Sequence, residues 1–160
     1  MARVLRYRLY FDTSVLGALL DEESPDRVRL SRAVLKRSSR APFEAFVGTL
    51  LIEELSGLPE RERNVLLRAL ADLHPTVLAE TDATLRLSEA YLHARLLPRR
   101  KAADARHIAI ATVADLDAIV SWNFKDMVNL RKKRIVQWVN HRYGYAEIDI
   151  ISPLEVPLDE

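Results

Sequence analysis

At 160 residues, with 24 basic and 23 acidic side chains and a formal charge of +1, the chain has the length of one domain and no net charge that would by itself choose a partner. Hydrophobic residues make up 49% and glycines number four, which excludes a disordered or fibrous chain, and no apolar run is long enough to span a bilayer. Cysteine is absent, so disulfides, thiolate zinc sites and cysteine nucleophiles are excluded and any metal must be held by oxygen or imidazole.

Residues 1–160 therefore read as a single domain. The basic start, with Arg3, Arg6 and Arg8, is not followed by the apolar core and small-residue cleavage site of a signal peptide, and a cytoplasmic setting is expected. In chain order, Leu9-Tyr10-Phe11 reads as a buried strand that ends on Asp12, and a short helix follows through Leu16 and Leu20. Pro25 suits the first turn of a second helix capped by Ser24. Residues 44–49 form the next strand candidate, running straight into a helix that carries Glu53 and Glu54. Glu60 to Leu73 reads as a helix with Val65, Leu66, Leu67, Ala69 and Leu70 turned inward, and residues 75–79 as a short strand.

A helix opened by Thr81 or Asp82 runs to about Leu97-Pro98. Arg99-Arg100-Lys101 precedes the most clearly helical segment, 102–114, in which Asp104 and His107 are three residues apart and share a face. Residues 118–122 are a strand candidate ending in the turn Asn123-Phe124-Lys125-Asp126. A basic helix from Met127 to Arg142, with Leu130, Val136 and Val139 inside, and a last strand at 148–151 complete the chain. Strands alternating with helices predict an α/β fold: a three-layer α/β/α sandwich around a parallel sheet of about five strands.

In such a sheet all strand carboxyl ends emerge at one edge, where ligands bind. Asp12, Glu54, Asp104 and Asp126 each stand at or near such a junction. Asp12 alone is equally well explained as a helix cap. Several carboxylates gathered at one edge repel unless protonated or wrapped around a hard cation such as Mg²⁺ or Mn²⁺. Such a centre does phosphate chemistry. Without a glycine-rich phosphate loop or a Walker-type lysine, nucleotide triphosphate hydrolysis fits poorly, and phosphodiester cleavage fits better.

Phe11-Asp12-Thr13-Ser14, Glu54-Leu55, Asp104-Ala105-x-His107-Ile108-Ala109 and Ser121-Trp122-Asn123-Phe124-Lys125-Asp126 together resemble the successive motifs of the PIN-domain nucleases, especially the VapC-type toxin ribonucleases. The likeness runs in order over nearly the whole chain. It is greatest to a branch with a Ser-Trp-Asn-Phe-Lys turn and a terminal Gly-Tyr and Ser-Pro-x-Glu-Val, here Gly144-Tyr145 and Ser152-Pro153-Leu154-Glu155-Val156.

The resemblance implies a Mg²⁺- or Mn²⁺-dependent endoribonuclease, with Asp12 and Asp104 as metal ligands, Glu54 holding the metal or its water, and Ser14 hydrogen-bonded among the carboxylates. Many relatives have an acid at the position of Asn123, so either Asp126 replaces it or three acids suffice. Glu53 is the neighbour that competes with Glu54, and the spacing from Thr49 favours Glu54. His107 is expected to pack and hydrogen-bond behind the site, while His74, His93 and His141 lie on the surface. Asp115 and Asp117 are expected to shape the turn into the next strand. Trp122 and Tyr143 are read as core residues or base-stacking platforms, and Arg99, Arg100, Lys101, Lys125 and Arg131 as contacts to RNA phosphate. The family also implies a homodimer and an antitoxin partner. Two alternatives stand beside this reading. One is a PIN-like module that has lost catalysis and binds RNA or protein. The other, a haloacid-dehalogenase-type phosphatase, is disfavoured because Ser14 occupies the place of its second acid.

Overall fold

The computed structural model describes residues 5–95 and 97–159, so Arg3 and Glu160 lie outside the described residues. Five strands, β1 (Tyr7–Phe11), β2 (Phe43–Gly48), β3 (Thr76–Leu78), β4 (Ala118–Val120) and β5 (Asp149–Ile151), pair in parallel in the order β3-β2-β1-β4-β5. Among the described residues, seven α-helices surround them: α1 (Thr13–Gly17), α2 (Pro25–Ser38), α3 (Thr49–Ser56), α4 (Glu60–Leu73), α5 (Asp82–His93), α6 (Ala102–Val113) and α7 (Leu130–Arg142).

Alternation along the strands divides the helices between two faces. Leu9, Phe11, Ala45, Val47, Ala118 and Val120 pack with α1, α2 and α4, whereas Tyr10, Phe46, Ile119 and Ile150 pack with α5, α6 and α7. Helix α3 sits at the seam, sending Leu50 to one core and Leu51 and Leu55 to the other. This is the expected three-layer α/β/α arrangement, and it explains why the end of β1 is a continuous apolar run: a central parallel strand is covered on both faces. Because the chain leaves β1 toward β2 and β3 on one side and returns to β4 and β5 on the other, the order reverses at β1/β4. Ligand crevices open outside the strand ends at such a switch point.

Several elements differ from the sequence expectation. In α4 the stripe is Leu66, Leu70 and Leu73; Val65 and Leu67 are 44% and 39% exposed, because they flank that three- and four-residue spacing rather than lie on it. Ser24 precedes α2 but its hydroxyl makes no capping bond; its ψ of 72° departs from the extended backbone that the capping residues Asp12, Thr81 and Asn129 adopt. Helix α7 begins at Leu130, not Met127, and Leu130 is exposed. The cause is Asn129, which accepts from Lys132 N at 3.0 Å as a cap and donates through Nδ2 to the carbonyls of Phe124 (2.9 Å) and Lys125 (2.8 Å). Residues 121–129 are thereby held as a compact turn. Asp117 accepts from the N–H of Arg8 at 2.7 Å, and the carbonyl of Asp115 accepts from the Arg8 guanidinium at 3.1 Å, which ties the turn before β4 to β1. His74, His93 and His141 are exposed. Among the described residues no helix is long and apolar enough to cross a membrane.

Candidate functional site

Asp12 stands immediately after β1 and is 3% exposed. It is the N-cap of α1: Oδ1 accepts from the backbone N–H of Ser14 at 3.1 Å and also from the Ser14 hydroxyl. Pairing of Phe11 with Val120 brings the next residue of the adjoining strand, Ser121, alongside. The Ser121 hydroxyl donates to Asp12 Oδ2 at 2.6 Å and accepts from Asn123 N at 3.0 Å, while the Ser14 hydroxyl accepts from Trp122 N at 2.9 Å. The cap and the site are thus one structure. Two hydroxyls fix both carboxylate oxygens and lock the 121–123 backbone to the end of β1.

Asp104 lies in the first turn of α6, and its Oδ2 accepts from Asn123 Nδ2 at 3.3 Å. Its carboxyl is pushed up to about 6, mainly by burial and next by the charge of Asp12, with Asp126 adding to the effect against His107 and Lys101. Burial also pushes Asp12 up, with the His107 charge and the Ser121 and Ser14 bonds acting in the opposite direction. Asp126 is buried. Its N–H donates to Asn123 Oδ1 at 3.0 Å, and its carboxylate lies 3.5 Å from Lys101 Nζ. Asn123, where the resemblance often has an acid, therefore bridges Asp104 and the backbone of Asp126.

Glu54 enters from α3 and belongs to a second hydrogen-bonded group. Its Oε1 accepts from Thr13 Oγ1 at 2.9 Å and lies 2.6 Å from His107 Nε2, whose partner nitrogen Nδ1 lies 2.6 Å from the Tyr10 hydroxyl. Burial alone would raise Glu54, but the His107 bond and charge, the Thr13 bond and the Arg106 charge together lower it. Burial, then the charges of Asp12 and Glu54, hold the Tyr10 phenol well above its ordinary value, so it stays protonated. The imidazole joins the two groups, its Nε2 bonded to Glu54 and its Nδ1 to the Tyr10 hydroxyl. The sequence places His107 behind the site as a packing and hydrogen-bonding residue; it is buried, and the partner of its Nε2 is Glu54. Glu53 instead faces solvent and lies 3.9 Å from Arg106.

Tyr10, Thr13 and Ser121 were not singled out from the sequence, although each adjoins a residue that was. Arg99 and Arg100 are exposed, with Arg99 3.5 Å from Glu89; Lys125 and Arg131 are exposed as well. Trp122 is half-buried. One face lies under the Arg27 guanidinium at 4.5 Å and Nε1 donates to Ser31 at 2.8 Å. Tyr143 is 58% exposed at the end of α7, in a groove also lined by Trp138, Leu85 and Arg142.

Among the described residues no three acidic or imidazole side chains are gathered into a group that could hold a metal ion by themselves. The Asp12 and Asp104 carboxylates, each made costly to ionise by burial and Asp104 further by Asp12's charge, fit a different donor set. Mg²⁺ is commonly bound through one or two carboxylates and keeps several waters or takes phosphate oxygens. No family model and no curated protein matches the chain.

Proposed function

We propose that the chain is a PIN-like, metal-dependent endoribonuclease that cleaves RNA phosphodiester bonds. The observation that carries this is the Asp12–Asp104 pair at the β1/β4 switch point, one carboxylate buried and the other half-buried, whose ionisation a divalent cation would favour. The four motifs named above support it in the same order along the chain. In this reading Asp12 and Asp104 hold Mg²⁺ or Mn²⁺, with Asp126 beside them and Lys101 facing it. The bound ion supplies a water of lowered pKa and charge stabilisation at the phosphate. The protein's own part is geometric. Ser14 and Ser121 keep the Asp12 oxygens aimed, Asn123 holds Asp104, and Glu54, kept ionised by His107 and Thr13, orients the attacking water and takes its proton at the carboxylate.

The same reading extends to a toxin of a toxin–antitoxin pair, acting in the cytoplasm as a homodimer and restrained by an antitoxin; the motif resemblance supports that step. Purified protein is expected to cut single-stranded RNA with Mg²⁺ or Mn²⁺ and to stop with EDTA, and Asp104→Asn to abolish cutting. An Asp104→Asn protein as active as the parent refutes the reading. Asn123 in place of an acid favours one second reading, a module that binds RNA or protein without cleaving. That reading requires no Mn²⁺ affinity dependent on Asp12, which calorimetric titration of the parent and Asp12→Asn decides.

A further inference from the structure

Phe124 presents its ring to solvent, 44% exposed, on the same turn that carries Asn123 and Asp126. An isolated exposed aromatic is ordinary on a protein surface. Phe124 differs in being exposed and immobilised at once. Its N–H donates to the Trp122 carbonyl at 2.9 Å, its carbonyl accepts from Asn129 Nδ2 at 2.9 Å, and the same amide group holds the next carbonyl at 2.8 Å. The ring stands edge-on to Trp122, with centroids 6.1 Å apart and planes at 63°. Trp122 is in turn pinned by Arg27 and Ser31, so the outer ring rests on a fixed inner one.

The turn offers little reason of folding for this arrangement. Met127 and Asp126 fill its buried side, and Phe124 and Lys125 are left outward. The preceding residue, Asn123, bonds Asp104, so the ring is one residue along the chain from a direct contact of that acid. Cations stand on this turn and on the residues it touches: Lys125 next in the chain, Arg27 over Trp122, and Lys101 against Asp126. An aromatic face flanked by positive charge is the chemistry that receives an unpaired base while its backbone is neutralised.

We infer that Phe124 is a base-stacking subsite for single-stranded RNA, receiving a nucleobase next to the phosphate presented to Asp12 and Asp104. Trp122 serves as its support rather than as the platform itself. The inference rests on the nuclease reading for its placement, and it goes further in naming which feature of the strand is gripped: a splayed-out, unpaired base. A base held in a duplex stack has no free face for Phe124, so paired RNA is excluded at this position.

The test measures binding and cutting separately. Binding of a fluorescein-labelled, unstructured RNA octamer is followed by anisotropy with Ca²⁺ in place of Mg²⁺, and a gel of the same samples confirms that the octamer is intact. Phe124→Ala is expected to weaken binding roughly tenfold, and Phe124→Trp to restore it, since any aromatic face serves. Octamers carrying one abasic nucleotide, moved along the strand, should show a single position at which the parent loses the same factor and Phe124→Ala loses nothing more. Because the ring is exposed, neither variant threatens the core. If Phe124→Ala binds within about twofold of the parent and no abasic position matters, or if the parent does not bind the octamer, the subsite is refuted. If binding depends on Phe124 but Mg²⁺ produces no cutting, the subsite stands and the nuclease reading falls.

Discussion

His107 Nε2 lies 2.6 Å from Glu54 Oε1, joining α6 to α3 across 53 residues of chain. The bond is one link of a line from the Tyr10 hydroxyl through the imidazole to the carboxylate, so the orientation of Glu54 is set from inside the sheet. Gly48 belongs to the same arrangement, since a Cβ there would come within 2.7 Å of the Tyr10 hydroxyl. In Tyr10→Phe the buried Nδ1 of His107 loses its hydrogen-bond partner, which costs about 1–3 kcal/mol. The expected outcome is a lower urea midpoint together with a reduced kcat for RNA cleavage and little change in KM, because Glu54 is misaimed and the phosphate contacts remain. An unchanged midpoint would show that the hydroxyl bond contributes nothing.

The Ser121 hydroxyl is fully buried, donates to Asp12 Oδ2 and accepts from Asn123 N, with the Ser14 hydroxyl and Met127 sulfur also in reach. Ser121→Ala leaves a buried carboxylate oxygen and a backbone N–H without that partner, at a cost of about 1–3 kcal/mol. Removal of a donor to the ionised form also raises Asp12 further. The acid limb of the cleavage pH profile should therefore move to higher pH in Ser121→Ala, and part of the lost activity should return as pH is raised. A uniform loss at all pH values would count against an action through Asp12.

Leu66 is fully buried between α4 and the β1 face, while Leu67, its neighbour, is 39% exposed. Leu66→Ala is expected to destabilise by about 2–5 kcal/mol and Leu67→Ala by less than about 1 kcal/mol. Denaturant unfolding of the two variants distinguishes this register of α4 from one that turns both leucines inward, in which both would be costly.

The layered fold was legible because its signals are local. The apolar run ending on Asp12 marks a strand covered on both faces, and Glu60–Leu73 reads as a helix, although its inward stripe is Leu66, Leu70 and Leu73 and leaves Val65 and Leu67 exposed. The two ends of the site differ in this respect. Asp12 could be placed at a strand end from its own neighbours, but its hold by Ser121 depends on the pairing of β1 with β4, and Tyr10 meets His107 across 97 residues. Neither pairing leaves a periodic trace. The start of α7 was misplaced for a related reason: Asn129 spends its amide on the carbonyls of Phe124 and Lys125, a turn-closing use of a residue that helical pattern treats as neutral. Trp122 and Phe124 look alike as adjacent aromatics in sequence. Only packing tells that the first is covered by Arg27 and the second is open.

Asp104 supplies a pH prediction whose sign is fixed by its environment. Its folded pKa of about 6 lies above the unfolded value of about 3.9, so between these the native state binds the extra proton. Stability then falls as pH rises through that window, and the ionised carboxylate opposes folding above it. Asp104→Asn keeps the shape of the side chain and cannot ionise. In EDTA, the melting temperature of Asp104→Asn should gain on that of the parent from about pH 4 to about pH 6.5, with most of the change near pH 5. Groups common to both proteins cancel in the difference, apart from Asp12, whose repulsion from Asp104 acts in the same direction. Added Mg²⁺ or Mn²⁺ at the upper pH should raise the parent's melting temperature and leave Asp104→Asn nearly unmoved, because a ligand bound only by the native state stabilises it in proportion to its occupancy. A difference that stays constant across the pH range would mean that Asp104 is not held in the low-dielectric, like-charged setting on which the metal-dependent reading depends.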